Sequence, residues 1–115
     1  MKDSENIIVK VTFEFALEII EYCEILEANK RFVIANQLLK SGTSIGANVR
    51  EAQNAESKND FIHKFKIAAK EIEETIYWLD LCTMSKNYPD CVNLKNQIQI
   101  ISKIINKIII SSKTK

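Results

Sequence analysis

Apolar residues recur at alternating steps of three and four along four separate stretches of this chain, and that spacing admits few folds. A step of three or four returns to one face of an α-helix, whereas a half-buried strand would step by two. In the first stretch, roughly residues 6–28, Val9, Phe13, Ala16, Ile20 and Cys23 keep this rhythm, and a second stripe of Ile8, Phe15, Ile19, Tyr22 and Leu26 runs beside it. The second stretch, roughly 32–56, places Ala35, Leu38, Gly42, Ile45, Val49 and Ala52 in one seam. The third, roughly 58–86, carries Phe61, Phe65, Ala68, Ile72, Thr75, Leu79 and Cys82, flanked by Ile62, Ala69, Ile76 and Trp78. In the last, roughly 90–112, Leu94, Ile98, Ile101, Ile105 and Ile108 form a stripe with Ile100 and Ile104 next to it. Two glycines and one proline in 115 residues leave little to punctuate the hairpins of a sheet.

The breaks between stretches agree with this division. Ser57 followed by Asp60 is a helix start, the hydroxyl being placed to accept from a free backbone N–H and the acid being favoured in the first turn. The proline lies in Asn87-Tyr88-Pro89-Asp90, a turn between the third and fourth helices. Gly42 and Gly46 stand four apart on one side of the second stretch, where missing side chains would let another backbone approach. A break at Ser41-Gly42-Thr43 is the rival reading, but the heptad phase crosses the glycines without slipping, so one continuous helix is expected. The chain therefore reads as a single domain, residues 1–115, of all-α class: an antiparallel, up-down four-helix bundle. Its doubled apolar stripes exceed what one core needs and would leave a large exposed patch, so self-association is expected.

Chemistry is sparse. Cys23, Cys82 and Cys91 form an odd set with no C-x-x-C pair, which points to reduced thiols rather than disulfides or zinc. His63 is the sole histidine and has no second ligand at metal spacing, and no serine can be paired with it as nucleophile and base. No metal, cofactor or catalytic residue is assigned, and an enzyme is not expected. The Ile98–Ile110 stretch is broken by polar residues and too short for the ~20 apolar residues of a membrane span, so a cytoplasmic protein with no membrane partner is expected. Net charge is +1, yet residues 1–30 hold seven acids against three bases, whereas residues 91–115 hold Lys95, Lys103, Lys107, Lys113 and Lys115 and no acid. An acidic first helix beside a basic last one accounts for this. Two polar stripes follow helical spacing: Ser41, Ser44, Asn48 and Glu51 on the second helix, and Glu71, Glu74, Thr75 and Trp78 on the third. Facing one another, they would form a hydrogen-bonded network that fixes helix register or a subunit contact; solvated faces are the alternative.

Those stripes lie in Gln37-Leu38-Leu39-Lys40-Ser41-Gly42-Thr43-Ser44-Ile45-Gly46-Ala47-Asn48-Val49-Arg50-Glu51-Ala52 and in Lys70-Glu71-Ile72-Glu73-Glu74-Thr75-Ile76-Tyr77-Trp78-Leu79. With Ser57-Lys58-Asn59-Asp60-Phe61 between them, these runs resemble the four-helix bundle family named for the 23S ribosomal RNA intervening sequence, over about residues 6–110. The resemblance implies an up-down bundle that closes into homo-oligomers, notably pentameric rings. A distantly similar bundle is an accessory subunit of reverse transcriptases in diversity-generating retroelements, which implies RNA or DNA as partner. With so small a net charge, such binding would be weak and salt-sensitive, Lys95, Lys103 and Lys107 and also Arg50 being the residues to touch phosphate. The rival function is a protein-interaction scaffold in which the ring itself is the working object and a protein is the partner.

Overall fold

The computed structural model describes residues 6–113, and Lys115 of the basic C-terminal run lies outside them. Four helices account for nearly all of it: α1 (Ile7–Ala28), α2 (Phe32–Ala52), α3 (Lys58–Met84) and α4 (Val92–Lys113). Each packs against its sequence neighbour, and α4 closes back onto α1, while the backbones of diagonal helices stay apart. Helices of about 30–40 Å joined by three, five and seven residues can be adjacent only if they run antiparallel, so the bundle is up-down, within an envelope of 48 × 22 × 20 Å.

Local signals set the helix ends. The Ser57 hydroxyl accepts from the Asp60 N–H at 3.0 Å, and the Asp60 carboxylate accepts in return from the Glu56 N–H at 3.1 Å, a reciprocal cap that starts α3. Helix α2 stops at Ala52, four residues short of the boundary expected from the seam. There the N–H groups of Gln53, Asn54 and Ala55 turn to carbonyls three residues back, tightening the last turn, and the Gln53 side chain accepts from the Asn6 amide at 2.7 Å. Asn87 adopts φ 64° after α3, a left-handed conformation that asparagine tolerates, and the Tyr22 hydroxyl donates to the Pro89 carbonyl at 2.7 Å, holding the α3–α4 turn onto α1.

One apolar core runs through the bundle. On α1 the structure buries Ile8, Phe15, Ile19, Tyr22 and Leu26 together with Val9 and Cys23 at the two ends of the other stripe, and turns that stripe's Phe13 and Ile20 outward, with Phe13 53% exposed and Phe15 0%. The selection comes from α2. Gly42 and Gly46 bring its backbone so close that a β-carbon on Gly42 would stand 2.9 Å from Ile19 Cγ1 and Cγ2, and one on Gly46 would stand 3.2 Å from the Thr12 carbonyl oxygen. Helix α2 is continuous through both glycines.

Candidate interaction surfaces

Of the two polar stripes, one pair meets across the α2–α3 seam, and a second cross-helix link joins Glu51 to Lys64, a residue outside both stripes. At the seam's centre the Ser41 and Thr75 hydroxyls, both buried, lie 2.9 Å apart. At its edge Lys64 Nζ reaches Glu51 Oε1 at 2.9 Å, which holds the lysine charged by raising its pKa. Ser44 donates instead to the Lys40 carbonyl at 2.7 Å and Asn48 to the Ser44 carbonyl at 2.9 Å, so both stay with their own helix. The Trp78 indole N–H donates to Glu74 Oε2 at 3.1 Å, one turn back on α3. Glu71 bridges to nothing across the seam; burial first, and then the neighbouring Glu74, raise its pKa, while Lys40 opposes the shift. The arrangement is thus a pinned pair of helices whose remaining polar side chains bond within their own helix.

The central pin has a measurable strength. Each hydroxyl has one hydrogen and each also faces a carbonyl of its own helix, Thr75 at 2.7 Å from Glu71 and Ser41 at 3.5 Å from Leu38. Thr75→Val keeps the shape and leaves the buried Ser41 hydroxyl with a marginal partner, so a loss of about 1–2 kcal/mol is expected in urea denaturation. Adding Ser41→Ala should recover part of that loss, since a missing pair is tolerated better than a half pair.

The thiols sit toward the end of the bundle that holds the α3–α4 turn and are all buried and unbridged. Burial, with the nearby Cys82 second, pushes the Cys23 thiol up to about 12, and burial raises Cys82 as well. Tyr22 is raised by burial first, with Cys82 and Cys91 beside it. Such groups remain protonated at neutral pH and act as small apolar side chains. Among the described residues no group of three or more His, Cys, Asp or Glu is placed to hold a metal ion, and no helix is long and apolar enough to cross a membrane.

Two uncovered apolar stripes run along α1 and α3. On α1, Phe13, Leu17 and Ile20 follow one another at steps of four and three, beside a groove whose other wall is Thr43, Gly46, Ala47 and Arg50. The Arg50 guanidinium lies over the Phe13 ring, 5.8 Å from its centroid. On α3, Tyr77, Leu81 and Met84 show the same steps, Met84 being 83% exposed. Because α1 and α3 are diagonal, the stripes look away from each other on opposite corners.

The four basic residues expected to touch phosphate do not form one surface. Lys95 turns toward α3 and pairs with Asp80 at 3.0 Å. Arg50 belongs to the α1–α2 groove, and the backbones of α2 and α4 stay apart. Lys103 and Lys107 are exposed, one turn apart on α4. Nor does the acidic α1 neutralise the basic α4: Gln97 donates to Glu18 at 2.8 Å, and neither salt bridge among the described residues joins these helices. Charge is divided along the bundle axis instead. The half that contains the α2–α3 connection (residues 6–16, 43–70 and 101–113) holds nine basic and four acidic residues, whereas the other half (17–42 and 71–100) holds five basic and nine acidic.

Comparison with known proteins places this architecture. A family model described as 23S rRNA-intervening sequence protein matches residues 4–107. The fold is similar to the crystal structure of a protein with unknown function from the S23 ribosomal protein family of Bacteroides thetaiotaomicron VPI-5482, with a TM-score of 0.85 and 39% identity over 89% of this chain and 97% of that one. No curated protein matches the chain.

Proposed function

Because the chain belongs to the 23S rRNA-intervening sequence protein family, we propose that it works as a non-enzymatic, homo-oligomeric adaptor in the cytoplasm, with RNA or DNA as its partner. The observation that carries the assembly is the pair of apolar stripes on opposite corners, Phe13, Leu17 and Ile20 on α1 and Tyr77, Leu81 and Met84 on α3. Exposed apolar rows of this kind are covered in soluble proteins. Two different stripes facing away from each other favour a heterologous contact, in which the α1 face of one copy meets the α3 face of the next; repeated with the right rotation, that contact closes a ring. Five copies is the ring size that the family resemblance implies.

Complementation tests the contact. A variant with Leu17→Glu and Ile20→Glu keeps its α3 face, and one with Leu81→Glu and Met84→Glu keeps its α1 face. All four positions are exposed, so both variants should fold. Each alone should sediment as a single chain, and an equimolar mixture should form a heterodimer. Continued assembly of either variant alone would remove the heterologous arrangement. The second reading, a scaffold whose partner is a protein, is favoured by the net charge of +1, which gives no whole-molecule attraction to nucleic acid. A pull-down that recovers a protein and no nucleic acid would support that reading.

A further inference from the structure

The division of charge along the axis assigns a surface that the helix-by-helix reading of the sequence did not contain. In the half around the α2–α3 connection, residues 58–70 of α3 carry Lys58, Lys64, Lys66 and Lys70 against one acid, Asp60, and residues 99–113 of α4 carry Lys103, Lys107 and Lys113 against none. These two segments belong to helices that pack side by side and run antiparallel. Asp60 is occupied in the cap of α3, and Lys64 is paired with Glu51. Lys66, Lys70, Lys103, Lys107 and Lys113 are all exposed, and no ion pair to any of them occurs among the described residues. On each helix two of them stand four residues apart, about 6 Å along the axis, and neighbouring axes lie about 8–10 Å apart. The result is a two-row field of lysines in a half of the molecule where bases outnumber acids, while the opposite half is acidic.

We propose that this face, α3 residues 58–70 with α4 residues 99–113, is the docking surface for the phosphate backbone of a nucleic-acid duplex. The proposal rests on the nucleic-acid reading above and fixes where and how the contact is made. Lysines act as point charges on phosphate and carry no base readout, so binding is independent of sequence and falls steeply with salt. The acidic half turns the bundle, because a duplex laid along the whole length would meet repulsion beyond the middle. One end of the molecule engages the duplex and the other stays clear of it. Lys95, tied to Asp80, and Arg50, over Phe13, take no part.

Fluorescence anisotropy with a labelled 20-base-pair duplex, in RNA and DNA arms, tests this on the full chain. One variant carries Lys66→Gln, Lys70→Gln, Lys103→Gln and Lys107→Gln; a control removes the same charge from the other half with Lys30→Gln, Lys40→Gln, Lys86→Gln and Lys95→Gln. Circular dichroism and sedimentation establish that both keep the fold and assembly of the parent. The expected result is parent binding at 50 mM salt in both arms, at least about a tenfold loss in the first variant, a log–log salt slope shallower by about 3, and little change in the control. Equal losses in both variants would overturn the surface while leaving nucleic-acid binding in place. Absence of binding by the parent at 50 mM salt in either arm would remove the nucleic-acid reading and the surface with it, leaving the protein scaffold.

Discussion

Gly42→Val is expected to destabilise the bundle by about 3 kcal/mol, even though it replaces a poor helix former with a better one. Intrinsic propensity alone favours valine over glycine by a few tenths of a kcal/mol. Opposing it, the first added carbon would stand 2.9 Å from two carbons of Ile19 and 3.1 Å from a third, before either γ-methyl is placed. Ile19 is fully buried and β-branched, so it has little rotamer freedom with which to move aside. Overpacking of this kind typically costs about 1–3 kcal/mol, and forcing α1 and α2 apart would also loosen the approach at Gly46. Urea denaturation measures the loss, and Ile19→Ala supplies the control. The double variant should be more stable than the sum of the single losses by more than about 1 kcal/mol, because the smaller residue makes room for the valine. Additive losses would mean that the glycine is not there for close approach.

Phe15→Ala should cost about 4 kcal/mol, while Phe13→Ala, two residues away on the same helix, should cost less than about 1 kcal/mol in the single chain. The ring of Phe15 is wholly inside the core, and that of Phe13 is about half in solvent beneath the Arg50 guanidinium. The comparison belongs in the Leu81→Glu, Met84→Glu background, where copies are kept apart and the Phe13 face stays uncovered. In the parent background Phe13→Ala should act on the mass of the assembly instead. Similar losses for the two phenylalanines in the single chain would show that the face of α1 turned to the core has been misassigned.

That assignment marks where the sequence was legible and where it was not. The helix count, the continuity of α2 through its glycines, the cap at Ser57 and the turn at Pro89 all follow from local chemistry, and each is present in the structure. Periodicity alone could not rank the two stripes of α1, because both repeat at the same steps; the choice depends on which one meets the bare backbone at Gly42 and Gly46. The polar stripes were legible as rows at helical spacing. Their division into one buried hydroxyl pair, one ion pair and several bonds within a single helix was not, since serine, threonine and asparagine side chains can equally reach a carbonyl one turn back. The cluster of exposed lysines on α3 and α4 was not legible because charge was counted along segments. Lys66 and Lys70 were hidden by Glu71, Glu73 and Glu74, which follow them on α3 but lie toward the other half of the bundle, and Lys95 was grouped by spacing with lysines whose surroundings it does not share.

Static light scattering on the purified parent protein at micromolar concentration bears most directly on the claim that the outward stripes of α1 and α3 need a partner copy. The predicted mass is a whole multiple of 13.2 kDa, five-fold for the ring proposed here, and steady on dilution through that range. A mass of 13.2 kDa at every concentration would contradict the account, because it would mean that both stripes remain in water.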